Sequence, residues 1–202
     1  SYTVVVTRYG YVGQKKPFTA GEANKTVQIK LEKAPDSTLK DIELPTDWPL
    51  FRKNDENNGV VDVRTPITAE DTVLVWANKL GEGYSGDAVG SPIIVGGYLY
   101  TYSGTTIKKV DKETGLILKT GTMVGDSSFA INTATYAEGM IFIGLSNGRV
   151  QAFNAETLES LWVYQDALGG QPNCPIAYAD GYIYTGFWNS ETKQANFACL
   201  SV

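Results

Sequence analysis

One word recurs at a fixed distance along this chain. "EDTVLVW" at residues 70–76, "ETGLILK" at 113–119 and "ETLESLW" at 156–162 each begin 43 residues after the one before. A second word keeps step with it. "GYLY" starts at Gly97, "GMIF" at Gly139 and "GYIY" at Gly181, spaced by 42. A unit this short cannot bury an apolar face alone, so copies must stack and cover one another. That requirement constrains the fold more than any other feature of the sequence.

Each "G-Y" or "G-M" word follows a short apolar stretch, "PIIVG", "TATYAE" or "PIAYAD", and begins another. A third apolar stretch follows in the first two copies, "TIKKVD" and "RVQAFN". Then comes the polar "ET" word and a fourth, "LILKTG" and "ESLWVY". Glycine before the second strand admits positive φ, Asn147-Gly148 is a two-residue hairpin signal between strands two and three, and the Asp/Asn-plus-Glu-Thr word makes a polar turn. Four short strands per repeat of this length predict blades of a β-propeller.

Composition agrees with an all-β fold. Hydrophobic residues are 43% of the 202, with 21 Gly and 12 Tyr. β-branched and aromatic side chains suit a pleated surface, and Gly suits tight turns. The chain contains no His. A Ser-His-Asp triad, a Cys-His dyad and a His-ligated zinc site are therefore excluded within it. The net charge of -5 argues against nucleic acid as a partner, which needs clustered cations. The longest basic runs are Lys15-Lys16 and Lys108-Lys109, read as solvated strand faces. Cys174 and Cys199 are too few for a disulfide framework; they read as two buried thiols in strands, with a pairing between them left open. No stretch approaches the ~20 apolar residues of a membrane span, and no signal peptide is visible.

Three segments follow. Residues 1–34 form a β-rich arm or partial β-sandwich of three short antiparallel strands. Val27, Ile29 and Leu31 alternate with Gln28, Lys30 and Glu32, and Gly13, Pro17 and Gly21 punctuate the middle. Residues 35–47 read as a linker. Residues 48–202 hold the repeats. In that last segment residues 72–80 read as a fourth strand lacking its first three, and the final copy as three strands lacking a fourth. Three blades are fewer than the four or more a closed ring needs. The chain is thus expected to be part of a longer propeller, or to close with a second copy by sharing the strand at residues 72–80.

The words "VGGYLYTYSGTTIKKVDKETGLILK" and "AEGMIFIGLSNGRVQAFNAETLESLW" resemble the quinoprotein-type, PQQ-like repeat, and "DWPLFRKNDENNGVVDVRTP" resembles the start of such propellers. The resemblance covers about residues 47–202. It implies a docking Trp at Trp76 and Trp162, replaced by Lys119 in the middle copy. It also implies a Thr-Gly turn, kept at Thr114-Gly115 and altered to Thr157-Leu158. Residues 1–34 resemble, more weakly, the end of a carboxypeptidase-regulatory-type β-sandwich module of bacterial surface proteins.

Quinone-dependent dehydrogenases share these repeats but need an intact ring, a calcium ion and a quinone pocket. The expectation here is a non-enzymatic, extracellular or cell-surface bacterial module that binds protein or surface glycan, with no cofactor and no metal. A fragment of a quinone-dependent dehydrogenase and a carbohydrate-binding surface module are the alternatives. "KNDENNG", with Asp55, Glu56, Asn57 and Asn58, lacks the calcium-loop pattern and reads as a turn. "GEGYSG" at residues 81–86 is no phosphate loop, since neither Lys-Ser/Thr nor a helix follows. The binding candidates are Phe187, Trp188 and Asn189, an aromatic-amide cluster at a strand end. Tyr182 and Tyr184 are expected to pack between blades.

Overall fold

The computed structural model describes residues 2–6, 11–12, 14–19, 28–33, 47–54, 57–61, 74–81, 90–127 and 132–202. It divides into two compact units, Ser1–Leu44 and Pro45–Val202. Among the described residues all regular structure is β, and no helix is long and apolar enough to cross a membrane.

Among its described residues the first unit has four short strands, where three were expected. β1 (Tyr2–Val6) pairs antiparallel with β3 (Gln14–Phe18), and β2 (Tyr11–Val12) with β4 (Glu32–Lys33). The stretch that reads as punctuation is therefore partly strand β3, with Pro17 opposite Thr3. A two-stranded sheet leaves one side of each strand unpaired, which is where proline's missing N–H is tolerated. Ile29 and Leu31 are half-buried while Gln28, Lys30 and Glu32 are exposed, the alternation the sequence shows. Val27 and linker residues 35–46 lie outside the described residues.

The second unit is a partial β-propeller. Blade 1 is β5 (Ile93–Val95), β6 (Tyr98–Ser103), β7 (Thr106–Asp111) and β8 (Ile117–Thr122). Blade 2 is β9 (Thr135–Ala137), β10 (Met140–Leu145), β11 (Arg149–Asn154) and β12 (Ser160–Gln165), and blade 3 is β13 (Ala177–Ala179), β14 (Tyr182–Gly186) and β15 (Phe197–Ser201). Every blade is an antiparallel meander in sequence order. A parallel bridge joins Ser91 to Thr133, just before β5 and β9, and β9 neighbours both β5 and β13. First strands therefore gather on the inside, and each blade runs outward from them.

Burial explains why β10 reads as an unbroken apolar run. Ile141, Ile143 and Leu145 join a core with Ile93, Tyr100, Tyr102 and Ile107 of blade 1. Phe142, with Met140, joins a second core with Ile176, Ile183 and Phe187 of blade 3. Alternate side chains face opposite neighbours, so both faces must be apolar. The turn after β10 is the one the sequence signals: Asn147 and Gly148 have φ of 65° and 69°, the pair that a type I′ hairpin demands.

The "ET" words form one loop twice. In blade 1 Asp111 Oδ1 accepts from the N–H of Glu113 (3.1 Å) and Thr114 (2.8 Å) and from the Thr114 hydroxyl (2.8 Å). These bonds, led by the Thr114 hydroxyl, hold the Asp111 carboxyl below its ordinary range. In blade 2 Asn154 Oδ1 accepts from Glu156 N (2.8 Å) and Thr157 N (3.0 Å). The loops then close alike, Gly115 N onto Asp111 O at 2.9 Å and Leu158 N onto Asn154 O at 2.8 Å. Both closing residues are left-handed, Gly115 at φ 73° and Leu158 at 59°.

What covers those two residues differs. The Trp76 indole donates to Lys112 O at 3.0 Å, and Asn78 donates to Gly115 O. A Cβ on Gly115 would stand 2.5 Å from Trp76 Cδ2. One repeat later Trp76 and Asn78 become Lys119 and Gly121, and Gly115 becomes Leu158. A Cβ on Gly121 would stand 2.6 Å from Leu158 O and 3.1 Å from Leu158 Cβ. The bulk has changed sides. Leu158 is 2% exposed; burying a leucine is worth roughly 1.5–3 kcal/mol, against about 1–2 kcal/mol for holding it left-handed. Burial wins by a small margin.

Residues 74–80 are not in a strand, contrary to the expected fourth strand at 72–80, whose residues 72–73 lie outside the described residues. Among the described residues no strand pairs with this segment, and side chains make the attachments: Trp76, Asn78, and Lys108 Nζ donating to Leu80 O at 2.6 Å. The segment still lies against blade 1 as β8 lies against blade 2.

Candidate functional site

The cleft with the most distinct chemistry opens where blades 2 and 3 carry their second-to-third-strand turns. In blades 1 and 2 those turns are short, residues 104–105 and 146–148. In blade 3 the connection runs over residues 187–196. A loop lengthened in one copy of a repeat is surplus to the blade's own closure, and functional residues concentrate on such loops.

The loop is well anchored. Trp188 and Gln171 form an antiparallel bridge, Gln171 N to Trp188 O at 2.7 Å and Trp188 N to Gln171 O at 2.9 Å. Asn189 Oδ1 accepts from Glu191 N and Thr192 N, both at 3.1 Å, and its Nδ2 donates to Leu168 O at 3.1 Å. At the far end Asn196 Nδ2 donates to both carboxylate oxygens of Asp166, at 3.2 and 3.0 Å.

Asp166 is the fixed charge that anchors this loop. It is 2% exposed. Burial pushes its carboxyl upward, but Asn196, Leu168 N (2.8 Å) and the Tyr164 hydroxyl (2.9 Å) all donate to it. Together the hydrogen bonds win and hold it below its ordinary range. The Tyr164 phenol is pushed up in turn, by burial and then by this carboxylate.

The cleft holds about 310 Å³, with Trp188, Asn147, Ser190 and Glu191 in its walls. Of the three sequence candidates only Trp188 is open, at 54% exposure. Phe187 is buried in the core between blades 2 and 3: it directly follows β14, with its side chain on the covered face. Asn189 spends its amide on the turn. The side chains of Asn147, Ser190 and Glu191 are engaged by no other described residue. Sequence reasoning missed Asn147 and Glu191; aligning "YIYTG" and "FACLS" with the earlier copies exposes the longer loop.

A second exposed surface is the outer face of blade 3. Tyr182, Phe197 and Cys199 are exposed and Tyr184 is half-buried. The expected packing of both tyrosines between blades is not what this chain shows. Their counterparts are Tyr98 and Tyr100 in blade 1 and Met140 and Phe142 in blade 2; Tyr100, Met140 and Phe142 pack into the junction with the following blade, while Tyr98 stays 36% exposed beneath the Lys109 ammonium. Cys174 and Cys199 are both free, and Cys174 lies outside any strand. The Tyr184 phenol is pushed up chiefly by its hydrogen bond with Cys199.

Between blades 1 and 2 the same face is filled by polar anchors. Tyr102 donates its hydroxyl to Asn132 O, and Tyr100 to Ala155 O at 2.9 Å. Burial first, then the Glu156 charge, pushes the Tyr100 phenol up to about 12. Lys109 is not on a solvated face as its pair with Lys108 suggests. It is 2% exposed, bonded to Glu156 Oε2 at 2.7 Å and 3.9 Å above the Tyr98 ring. Both faces of β7 are covered by neighbours, so its lysines must find partners.

In the "KNDENNG" stretch Asp55 and Glu56 lie outside the described residues. Asn54 Nδ2 donates to Asn58 Oδ1 at 3.1 Å, Asn57 has φ 53°, and the buried Lys53 ammonium reaches Val60 O. These contacts form a turn closed on itself around a lysine. No group of three or more His, Cys, Asp or Glu side chains is placed to hold a metal among the described residues.

No family model matches the chain, and no curated protein matches it. Solved structures do. A europium-containing methanol dehydrogenase is similar at 18% identity with a TM-score of 0.60, over 83% of this chain and 32% of its own. A quinohemoprotein alcohol dehydrogenase from Comamonas testosteroni is similar at 19% identity and a TM-score of 0.56, over 76% and 25%. The likeness establishes the fold, and it supports the quinoprotein-type propeller resemblance at that level. This chain spans about a third or less of either protein. Nothing found supports the β-sandwich reading of residues 1–34.

Proposed function

We propose that this chain is a section of an extracytoplasmic, bacterial-type propeller that binds or scaffolds rather than catalyses, with the outer face of blade 3 as its stacking surface. One observation carries the reading. Tyr182, Phe197 and Cys199 are exposed and Tyr184 is half-buried on the face where Tyr100 of blade 1 and Phe142 of blade 2 are fully packed against the next blade. The ligand that fits such a face is the flat apolar side of another sheet. Supporting it, the buried charged groups already have structural duties: Asp166 ties down a loop, Lys109 a blade junction and Lys53 a turn. The cell surface or extracellular space is the location we assign, supported by the resemblance; the partners are protein or surface glycan.

A second copy is one sheet partner, laid against the face that carries Tyr184 and Phe197. Light scattering tests this: mass should rise with concentration, and Tyr184→Glu with Phe197→Glu should return the chain to monomer. A strict monomer at high concentration removes the second copy as partner. Mixing the chain with separately produced propeller blades tests the wider reading, and failure to bind any of them would defeat it.

The second reading, a quinone-dependent dehydrogenase section, is favoured by the shared fold. Pyrroloquinoline quinone supplied with calcium should co-elute by its absorbance if that reading holds, and pass through unbound if it does not.

A further inference from the structure

We propose that the cleft beside Trp188 is a saccharide-binding site that takes an uncharged or amino-bearing pyranose on the indole face. This site is separate from the stacking surface of blade 3 and does not depend on it.

Three observations converge on that chemistry. First, the tryptophan is placed by the blade 3 loop alone. Its counterparts at the 42-residue spacing are Ser146 in blade 2 and Gly104 in blade 1, so blade architecture does not ask for an aromatic there. The backbone beneath it is locked by the bridge to Gln171, and the indole is open at 54%. A rigid exposed indole offers a flat apolar platform at small entropic cost.

Second, the surroundings of the indole are polar and unspent. Asn147 presents an amide with both donor and acceptor, Ser190 a hydroxyl and Glu191 a carboxylate, all in the walls of one cleft. A pyranose has a face of C–H groups and a rim of hydroxyls. Its face matches the indole, and its rim matches amide, hydroxyl and carboxylate. An extended peptide would instead need a row of free backbone groups, but at Trp188 and Gln171 these are already paired with each other.

Third, among the described residues lining the cleft the only charge is the Glu191 carboxylate. That sign disfavours a uronic acid or a sulfated sugar and favours neutral or amino sugars. The cleft, at about 310 Å³, lies near the lower end of the ~300–1,000 Å³ range of ligand sites. One end of a glycan fits it better than the middle of a long chain.

The test is a titration followed by tryptophan fluorescence and calorimetry. The probes are glucose, galactose, mannose, N-acetylglucosamine, glucosamine and glucuronate, with a lysine-rich peptide as comparison. Saturable binding of at least one neutral or amino sugar is expected. Trp188→Ala should weaken it about tenfold or more, and Trp188→Tyr much less, as expected for loss or retention of a stacking platform. Glu191→Gln should narrow the gap between glucuronate and glucose. The thermal midpoint of Trp188→Ala serves as the folding control and should stay near that of the parent. No saturable binding of any sugar overturns the proposal. So does sugar binding that survives Trp188→Ala unchanged, or saturable binding of the peptide alone.

Discussion

Two junctions in this chain solve one packing problem from opposite sides. At the first, Trp76 and Asn78 reach from an outer segment onto Gly115, and the glycine leaves them room. At the second, Leu158 reaches back from the loop, and Gly121 on the outer strand leaves it room. The volume between an outer strand and the next loop is conserved while its ownership switches. Losing the docking tryptophan at Lys119 therefore did not open a hole. The lesson is that a consensus residue in a repeat protein is one of several ways to fill a space, and its absence predicts a compensating residue across the junction.

The comparison can be broken most severely at the core behind it. Phe153→Ala removes a fully buried ring from the junction of blades 1 and 2. It should cost about 3–5 kcal/mol by chemical denaturation. Gly121→Val comes next, because its Cβ would meet the Leu158 carbonyl at 2.6 Å, an atom with no freedom to move aside. A loss of about 1–3 kcal/mol is expected, whereas the same change at the open turn residue Gly97, where nothing lies within 4 Å of a Cβ, should cost less.

Leu158 sharpens the comparison further. Both Leu158→Ala and Leu158→Gly empty the space, but only glycine relieves the left-handed backbone. Leu158→Gly should be the more stable of the two by about 1 kcal/mol, the reverse of the usual order. Stability equal to or below that of the alanine variant would show that the backbone carries no strain there. Smallest is the loop itself. Asn154→Ala removes the acceptor for two N–H groups on a solvated turn, an expected loss of about 1 kcal/mol.

Asp166 adds a pH test on the blade 3 side. Its carboxyl is depressed in the folded chain, so its contribution is complete above the unfolded carboxylate range, near ~3.9, and is lost as pH falls through the folded value. Asp166→Asn should flatten the acid limb of a stability-versus-pH curve and leave the neutral limb parallel. An unchanged acid limb would mean that other carboxylates set it.

Much of the fold was legible because its signals are local. The spacing of Gly97, Gly139 and Gly181, the Asn147-Gly148 pair and the "ET" words each depend on neighbours in sequence, and blades and turns follow from them. What crosses a junction was not legible. Lys109 reads as solvated until Glu156, from the next blade, is seen beside it. Leu158 reads as a departure from pattern until Gly121 is seen opposite. The site was half legible: Phe187, Trp188 and Asn189 were picked out together by residue type, and only their places along the strand separate the buried Phe187 from the open Trp188, because one step exchanges buried for exposed. Asn147 and Glu191 come from different blades, and no local pattern unites them.

Each blade also fastens its own end. Lys112 N bonds Gly97 O at 3.0 Å, Ala155 N bonds Gly139 O at 2.9 Å, and Val202 N bonds Gly181 O at 2.9 Å, so the residue past the third strand always clasps the turn before the second. A blade sealed by contacts this close in sequence is a kinetic unit: it can form as it leaves the ribosome, before its neighbour exists. Unfolding should run the other way. Amide exchange should be slowest in β10, held between two neighbours, giving a graded melt in place of one sharp transition.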